Sequence, residues 1–442
     1  MHIPRAGFAA GVVLAGLLAA TAPLAAASDS GAAAPSPRGQ ETHRVEYFTS
    51  PKGHPRHTEV PAAAPERLDR KAGSVEGDGD VTPIVENGPT ADKLDVVVIG
   101  DGYTEGELAQ FHTDAKEKWQ EITGVAPYTT YQDLFNVWAV DAVSQESGVS
   151  GDPTKDVVRN TALSSYFWCD DIERLLCVDT GKVEGYAAKA PEADLVVVVS
   201  NSTKYGGAGY NDVVSQLGYD GIATVSGGND QSGQVAVHET GHSLGKLADE
   251  YFYDEYGDYT GAEPADLNTS TYTADELADQ QAKWYRWLGE ATPDGGTIGA
   301  FEGAGYYPRG LYRPSENSIM RTLGREFNVV GREAMIAGFY RHAEPLSSTT
   351  STKRVLTRSD SVTVRIPRLT GAERSVALRW YVDGKEVKGA RGDRTVDVGK
   401  LVQQRDHRTH RLTATAHDPT RDVRDPALRP LLKGSLTWIV RR

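Results

Sequence analysis

The run His238-Glu239-Thr240-Gly241-His242-Ser243-Leu244-Gly245, with Asp249-Glu250-Tyr251 close behind it, places two imidazoles and several carboxylates at metal-site spacing. On a helix, His238 and His242 lie one turn apart and project from one face, where two neutral imidazoles can ligate one Zn²⁺. Glu239 points to another side of that helix, toward the place of a metal-bound water. There it can act as general base, taking the proton as the water attacks a carbonyl carbon and delivering it to the leaving amine. The bare H-E-x-x-H pattern also decorates ordinary helix surfaces, so its setting matters. Val237, Gly241, Leu244 and Ala248 recur at helical period, which predicts a half-buried helix over 231–247. Gly245 stands where a left-handed cap would turn the chain back toward the metal.

A catalytic zinc keeps three protein ligands and one open position, so a third ligand is required. The pattern H-E-x-x-H-x-x-G resembles that of the metzincin peptidases, whose third ligand is a His three residues past the glycine. That position is Ala248, which cannot ligate. Asp249 and Glu250 are the first candidates beyond it; we take Asp249 as the ligand and Glu250 as the alternative. The carboxylate that does not ligate would hold a ligand imidazole by its far nitrogen. Downstream, Tyr312-Arg313-Pro314-Ser315-Glu316-Asn317-Ser318-Ile319-Met320-Arg321 resembles the Met-turn of the same peptidases, a tight turn that lays a thioether under the metal. The chain has 3 methionines, so Met320 in that setting is not readily dismissed as filler.

The longer string H-E-x-G-H-x-x-G-x-L-x-D-E-Y is more specific. Together with Lys204-Tyr205-Gly206-Gly207-Ala208-Gly209, Gly100-Asp101-Gly102-Tyr103-Thr104 and Tyr312-Arg313-Pro314, it resembles the M64 family of peptidases, named for an IgA-cleaving member, from about residue 81 to 344. The resemblance implies a secreted zinc endopeptidase and is compatible with an acidic third ligand. It does not carry immunoglobulin over as the substrate. The expected function is therefore hydrolysis of peptide bonds in proteins by a secreted zinc metalloendopeptidase, with Tyr251 or Tyr312 as candidates to stabilise the oxyanion. The rival reading is a secreted adhesin or cell-wall-binding protein with a structural or vestigial zinc site; the intact Glu239 argues against it.

Residues 1–27 read as an export signal, with Arg5, an apolar run over 7–24 and the small residues Ala25-Ala26-Ala27 before the cleavage point. The expected location is extracellular. An uncleaved anchor is the alternative, because the apolar run approaches a bilayer-spanning length. Cys169 and Cys177 are the 2 cysteines, and in an oxidising compartment they should form a disulfide. None precedes them after the signal, so no pro-segment thiol can mask the zinc. The formal charge of −14 is unevenly spread: 21 basic and 10 acidic residues follow residue 345, against 26 and 51 before it. The acidic body speaks against nucleic acid as a partner, whereas the basic tail could contact anionic cell-wall polymer.

We divide the chain into the signal, a pro-segment or linker with little structure (28–88), a catalytic domain (89–345) and an accessory domain (346–442). The first of these after the signal is rich in Ala, Pro, Gly and charge, with Val45-Glu46-Tyr47-Phe48 as a single strand candidate. β-runs at 94–99, 135–143, 193–200 and 222–225 alternate with helical stretches at 104–122, 231–247, 274–288 and 326–341, giving an α/β zincin-like (metzincin-like) body. Tyr205 to Gly209 lacks nucleotide-loop spacing and reads as a rim segment; in zincin folds the edge strand ahead of the zinc helix pairs with extended substrate. Asp254, Glu255 and Asp258 extend the acidic stretch and make Ca²⁺ a possible second ion. After a polar linker at 347–352, period-two alternation through Val362, Leu378, Trp380, Leu412, Ala414 and Trp438 predicts an all-β sandwich of Ig-like type.

Overall fold

The computed structural model describes residues 41–442 except 54, 66–67, 69–75, 404–407 and 442. The expected export signal lies outside the described residues. No helix among those described is long and apolar enough to cross a membrane.

A sheet of 8 strands forms the body: β1 (Thr42–Phe48), β2 (Pro55–Pro61), β3 (Val81–Val85), β4 (Leu94–Asp101), β5 (Phe135–Val140), β6 (Leu195–Ser200), β7 (Gly207–Tyr210) and β8 (Ile222–Ser226), in the order β2-β1-β7-β8-β6-β4-β5-β3. The valine-rich runs β4, β5, β6 and β8 are parallel and buried along their whole length, as strands covered on both faces must be. β7 runs antiparallel to β8, and β1 antiparallel to β7.

One face of the sheet is covered by α1 (Leu108–Thr123), the single turn α2 (Tyr128–Tyr131), α4 (Gly233–Ser243) and α6 (Val329–His342); α3 (Thr180–Ala187) packs with the other core, and Leu277 of α5 (Ala274–Gln280) belongs to a smaller cluster with Trp284 and Trp287. Helix α1 shows how the sequence fixes the packing. Thr104 and Glu107 form a capping box at its entrance, and Phe111, Ala115, Trp119 and Ile122 make one apolar face. Phe111 lies directly on Gly100 of β4, where any side chain would collide with the ring.

Several expected boundaries move. The stretch 28–88, expected to hold little structure, contains the hairpin β1–β2 and the strand β3: apolar Val45, Tyr47 and Val60 enter the body's core. The zinc-motif helix is shorter than 231–247, and its left-handed residue is Lys246 rather than Gly245. Gly245 is instead a close-approach position, where a Cβ would sit 2.6 Å from the Gly241 carbonyl and 2.8 Å from Met335 Sδ. The helix expected over 274–288 stops at Gln280 because Gln281 and Lys283 adopt positive φ, and a 3₁₀ turn Tyr285–Trp287 follows.

Beyond the hairpin β9 (Phe301–Ala304) and β10 (Tyr307–Arg313), two small sheets share a core around Trp380 and Trp438. One contains β11 (Ser347–Ser348), β12 (Ser361–Arg365) and β15 (Thr395–Asp397). The other contains β13 (Ala377–Val382), β14 (Lys385–Glu386), β16 (His410–His417) and β17 (Lys433–Val440). The supposed linker at 347–352 thus begins as a strand. The connection between β16 and β17 leaves this region and enters the body: Val423 and Leu432 join the core that α1, α4 and α6 share, and Asp418 accepts hydrogen bonds from Tyr131 and Tyr340.

Candidate functional site

Helix α4 follows β8 after a short turn and is itself buried, with its own Val235, Ala236 and Val237 and the C-cap Leu244 all in the interior, which makes the polar face of its motif an interior face. His238 and His242 project from it together, with their Nε2 atoms 3.0 Å apart. Each ring is held from behind. The His238 Nδ1–H donates to the Ile319 carbonyl at 2.9 Å, and that of His242 to the Leu247 carbonyl at 2.8 Å. These bonds fix the tautomer that turns both Nε2 lone pairs into the site.

The chain after α4 doubles back through the left-handed Lys246 and brings in Asp249. Its Oδ1 lies 3.3 Å from His238 Nε2 and 3.4 Å from His242 Nε2, while Oδ2 accepts from the Tyr306 hydroxyl at 2.7 Å. Glu250 is sent elsewhere. Its carboxylate accepts from Ser318, Asn268 and Asn328, and its backbone N–H donates to the Met320 carbonyl. Asp249 therefore faces the two imidazoles, whereas Glu250 ties the Met320 segment in place. Met320 itself is buried beneath α4, its sulfur occupying the space a side chain on Gly241 would need.

Glu239 is buried on the side of α4 that faces β7. Asn211 donates to its Oε2 at 2.8 Å, and Oε1 has no protein partner. Burial, then the charge of Glu46, push its carboxyl well above the usual range. Tyr251, one of the two oxyanion candidates, is buried beside the cluster; Tyr312 belongs to β10, where Ser270 pairs with it and Glu302 and Glu276 are the charges it feels.

Four functional-looking residues escaped the sequence reading: Glu46, His57, Asn211 and Tyr306. Glu46 is the most consequential. It comes from β1 and sets Oε2 at 3.2 Å from both His238 Nε2 and His242 Nε2, with Oε1 accepting from Tyr251 at 2.9 Å. The signal available was a carboxylate within the apolar strand Val45-Glu46-Tyr47-Phe48. His57 of β2 lies 3.9 Å from the same carboxylate and 3.3 Å from the Tyr306 hydroxyl.

The donor set fits a divalent cation. Tetrahedral ligands at zinc distances are separated by about 3.3 Å; the two Nε2 atoms lie 3.0 Å apart, and each lies 3.2 to 3.4 Å from the nearer oxygens of Asp249 and Glu46. Asp249 Oδ1 is buried and has no hydrogen-bond donor. Two carboxylates buried beside two imidazoles demand positive charge. Burial alone would lower both His pKa values, yet Glu46 and Asp249 outweigh it and raise them, which is the demand for positive charge that a dication among these donors would meet. Among the described residues the groups able to hold a metal are Glu46, His238, Glu239 and His242, and Glu46, His57 and Asp249; the acidic residues Asp254, Glu255 and Asp258 form no such group.

No curated protein matches the chain. The family model described as IgA Peptidase M64 matches residues 82–296 and 292–339, more than half of the 442 residues. Both matched stretches contribute to the cluster, the first through α4 and Asp249 and the second through Tyr306 and the Met320 turn; the chain belongs to the M64 peptidases.

Proposed function

We propose that this peptidase is a secreted, zinc-dependent endopeptidase of zincin-like architecture, with His238, His242 and Asp249 as metal ligands and Glu239 as general base. The observation that carries the reading is the convergence of both Nε2 atoms on the donor-free Oδ1 of Asp249. Zinc, when bound, polarises the scissile carbonyl and acidifies water. Glu239 takes the proton of the attacking water and returns it to the leaving nitrogen; the amide of Asn211 fixes the orientation of the carboxylate, and burial raises its basicity. The Tyr306 hydroxyl orients Asp249, and Tyr251 is the hydroxyl within reach of charge developing at the substrate carbonyl. The two small C-terminal sheets suit an Ig-like accessory region. A groove of about 730 Å³ there, lined by Arg374, Arg379, Arg421 and Arg429 with Glu373 as its one carboxylate, has an excess of positive charge that supports contact with anionic wall polymer.

The test joins metal analysis to digestion of casein, on protein as purified and after limited proteolysis. One zinc per chain, lost in His238→Ala and retained in Glu239→Gln together with abolished hydrolysis, is the expected result. Equal loss of zinc in both variants would remove Glu239 from its role, and a metal-free wild-type chain would sink the metallopeptidase reading in favour of an adhesin.

A further inference from the structure

The strand β1 occupies a place that a substrate would need. It lies antiparallel to β7 on the outer side, with Val45 opposite Tyr210 and Glu46 opposite Gly209, and β7 is the strand beside the motif helix. An extended peptide entering such a cleft would add itself to β7 by the same main-chain pairing. Thus β7, expected to be an open edge, is covered.

Side chains of β1 alternate between two tasks. Val45 and Tyr47 enter the core on one face of the sheet, whereas Glu46 and Phe48 point to the metal cluster. Phe48 packs edge-on against the His238 ring with centroids 5.0 Å apart, in a pocket with Tyr205, Val235 and Leu323. Glu46 is 1 % exposed. A carboxylate so deeply buried next to Asp249 calls for positive charge at the point where the two imidazoles also converge, and a cation held among these four donors supplies it. Two carboxylates and two neutral imidazoles balance a dication in charge and complete a tetrahedral set; with Glu46 withdrawn, three ligands remain, the number that leaves a position open for catalysis.

We propose that Glu46 is a fourth metal ligand and that Thr42–Phe48 is a built-in occupant of the substrate cleft, so that the chain with this strand in place is latent. The inference rests on the metallopeptidase reading. A carboxylate thereby does what no thiol in this chain could, since Cys169 and Cys177 are both engaged with each other. Release of the β1–β2 hairpin, by cleavage or displacement, frees the metal position and the β7 edge in one event.

The experiment uses the full chain loaded with Co²⁺, whose visible spectrum reports coordination, and acetohydroxamate as a small probe for an open metal position. The wild-type spectrum should be nearly insensitive to the probe. Glu46→Gln, which keeps the side-chain volume, and Glu46→Ala should both shift the spectrum and bind acetohydroxamate at least about tenfold more tightly, because the metal position is no longer masked; casein hydrolysis should follow only when the hairpin is also released, since the backbone of β1 still covers β7. Equal probe affinity and identical spectra in wild type and the folded Gln variant would overturn the proposal. Failure of the wild type to bind Co²⁺ at all would instead condemn the metallopeptidase reading beneath it.

Discussion

Gly209 and Glu239 are in such close contact that a Cβ on the glycine would fall on the glutamate carboxylate. The strand and the motif helix meet with no room for a methyl group, and this contact holds Glu239 in its orientation. Gly209→Ala must push the carboxylate aside. A displacement of this kind costs on the order of 10²-fold in rate, and it leaves the imidazoles and Asp249 untouched. The expected outcome in the activated enzyme is a large fall in kcat at unchanged zinc content; unaltered kcat would show that Glu239 tolerates another position.

Asp249 and Glu250 are neighbours with different work. Asp249→Ala should weaken zinc binding severely in a competitive chelator titration, because it removes the carboxylate that faces both imidazoles. Glu250→Ala leaves the amides of Asn268 and Asn328 and the Ser318 hydroxyl without their acceptor. Calorimetry should show it destabilised by roughly 3 kcal/mol, the cost of buried charged hydrogen bonds lost. The reverse ranking in the chelator titration would give the ligand role to Glu250.

His342, at the end of α6, makes ion pairs with Asp194 at 3.0 Å and Asp220 at 3.4 Å. Burial lowers its pKa, but the two carboxylates prevail and hold it at about 9. The folded value lies above the unfolded one, so the stabilisation is complete below the ordinary histidine pKa of about 6.5 and disappears as pH rises through about 9. Its size is at most on the order of 3 kcal/mol. Thermal melts of wild type and His342→Gln should diverge at pH 6 and converge above pH 9. A constant difference across that range would assign the effect to packing instead.

The bridge between Cys169 and Cys177 closes a short loop. Chain-entropy arguments give it about 2.5 kcal/mol. Protein alkylated without reductant should gain no label on either thiol, and Cys169→Ser with Cys177→Ser should lower the melting temperature while sparing metal affinity. Two labelled thiols in untreated protein would refute the bridge.

The parts of the site that lie within one continuous stretch were legible in the sequence. His238, Glu239, His242 and Asp249 span 12 residues, and their spacing on a helix and its return loop dictates convergence. The parallel β-runs were legible too, because strands buried on both faces are continuous apolar stretches. What long-range pairing decides was not. Glu46 reaches the cluster across 192 residues of chain through the register of β1 on β7, and the segment around it has the composition of a linker. Tyr306 sits in the turn between β9 and β10, far along the chain from the motif helix, at a positive φ that only its tertiary setting imposes. The end of the motif helix was misplaced for a local reason: Gly245 has the type of a cap residue, yet its smallness serves a close approach while Lys246 takes the left-handed turn.

The loop between β16 and β17 has a consequence for the order in which the molecule can be completed. Val423 and Leu432 belong to the same core as Val237 and Met320, and Glu333 of α6 accepts from the backbone of Arg424 and Asp425. Synthesis runs from the other end, so the motif helix is made nearly two hundred residues before the apolar groups that finish its support. A nascent or truncated chain ending near residue 345 has all of the metal donors and an unsealed core. The core that supports the motif helix is therefore closed only after the connection between β16 and β17 has been made, although none of the four clustered side chains Glu46, His238, His242 and Asp249 comes from that stretch.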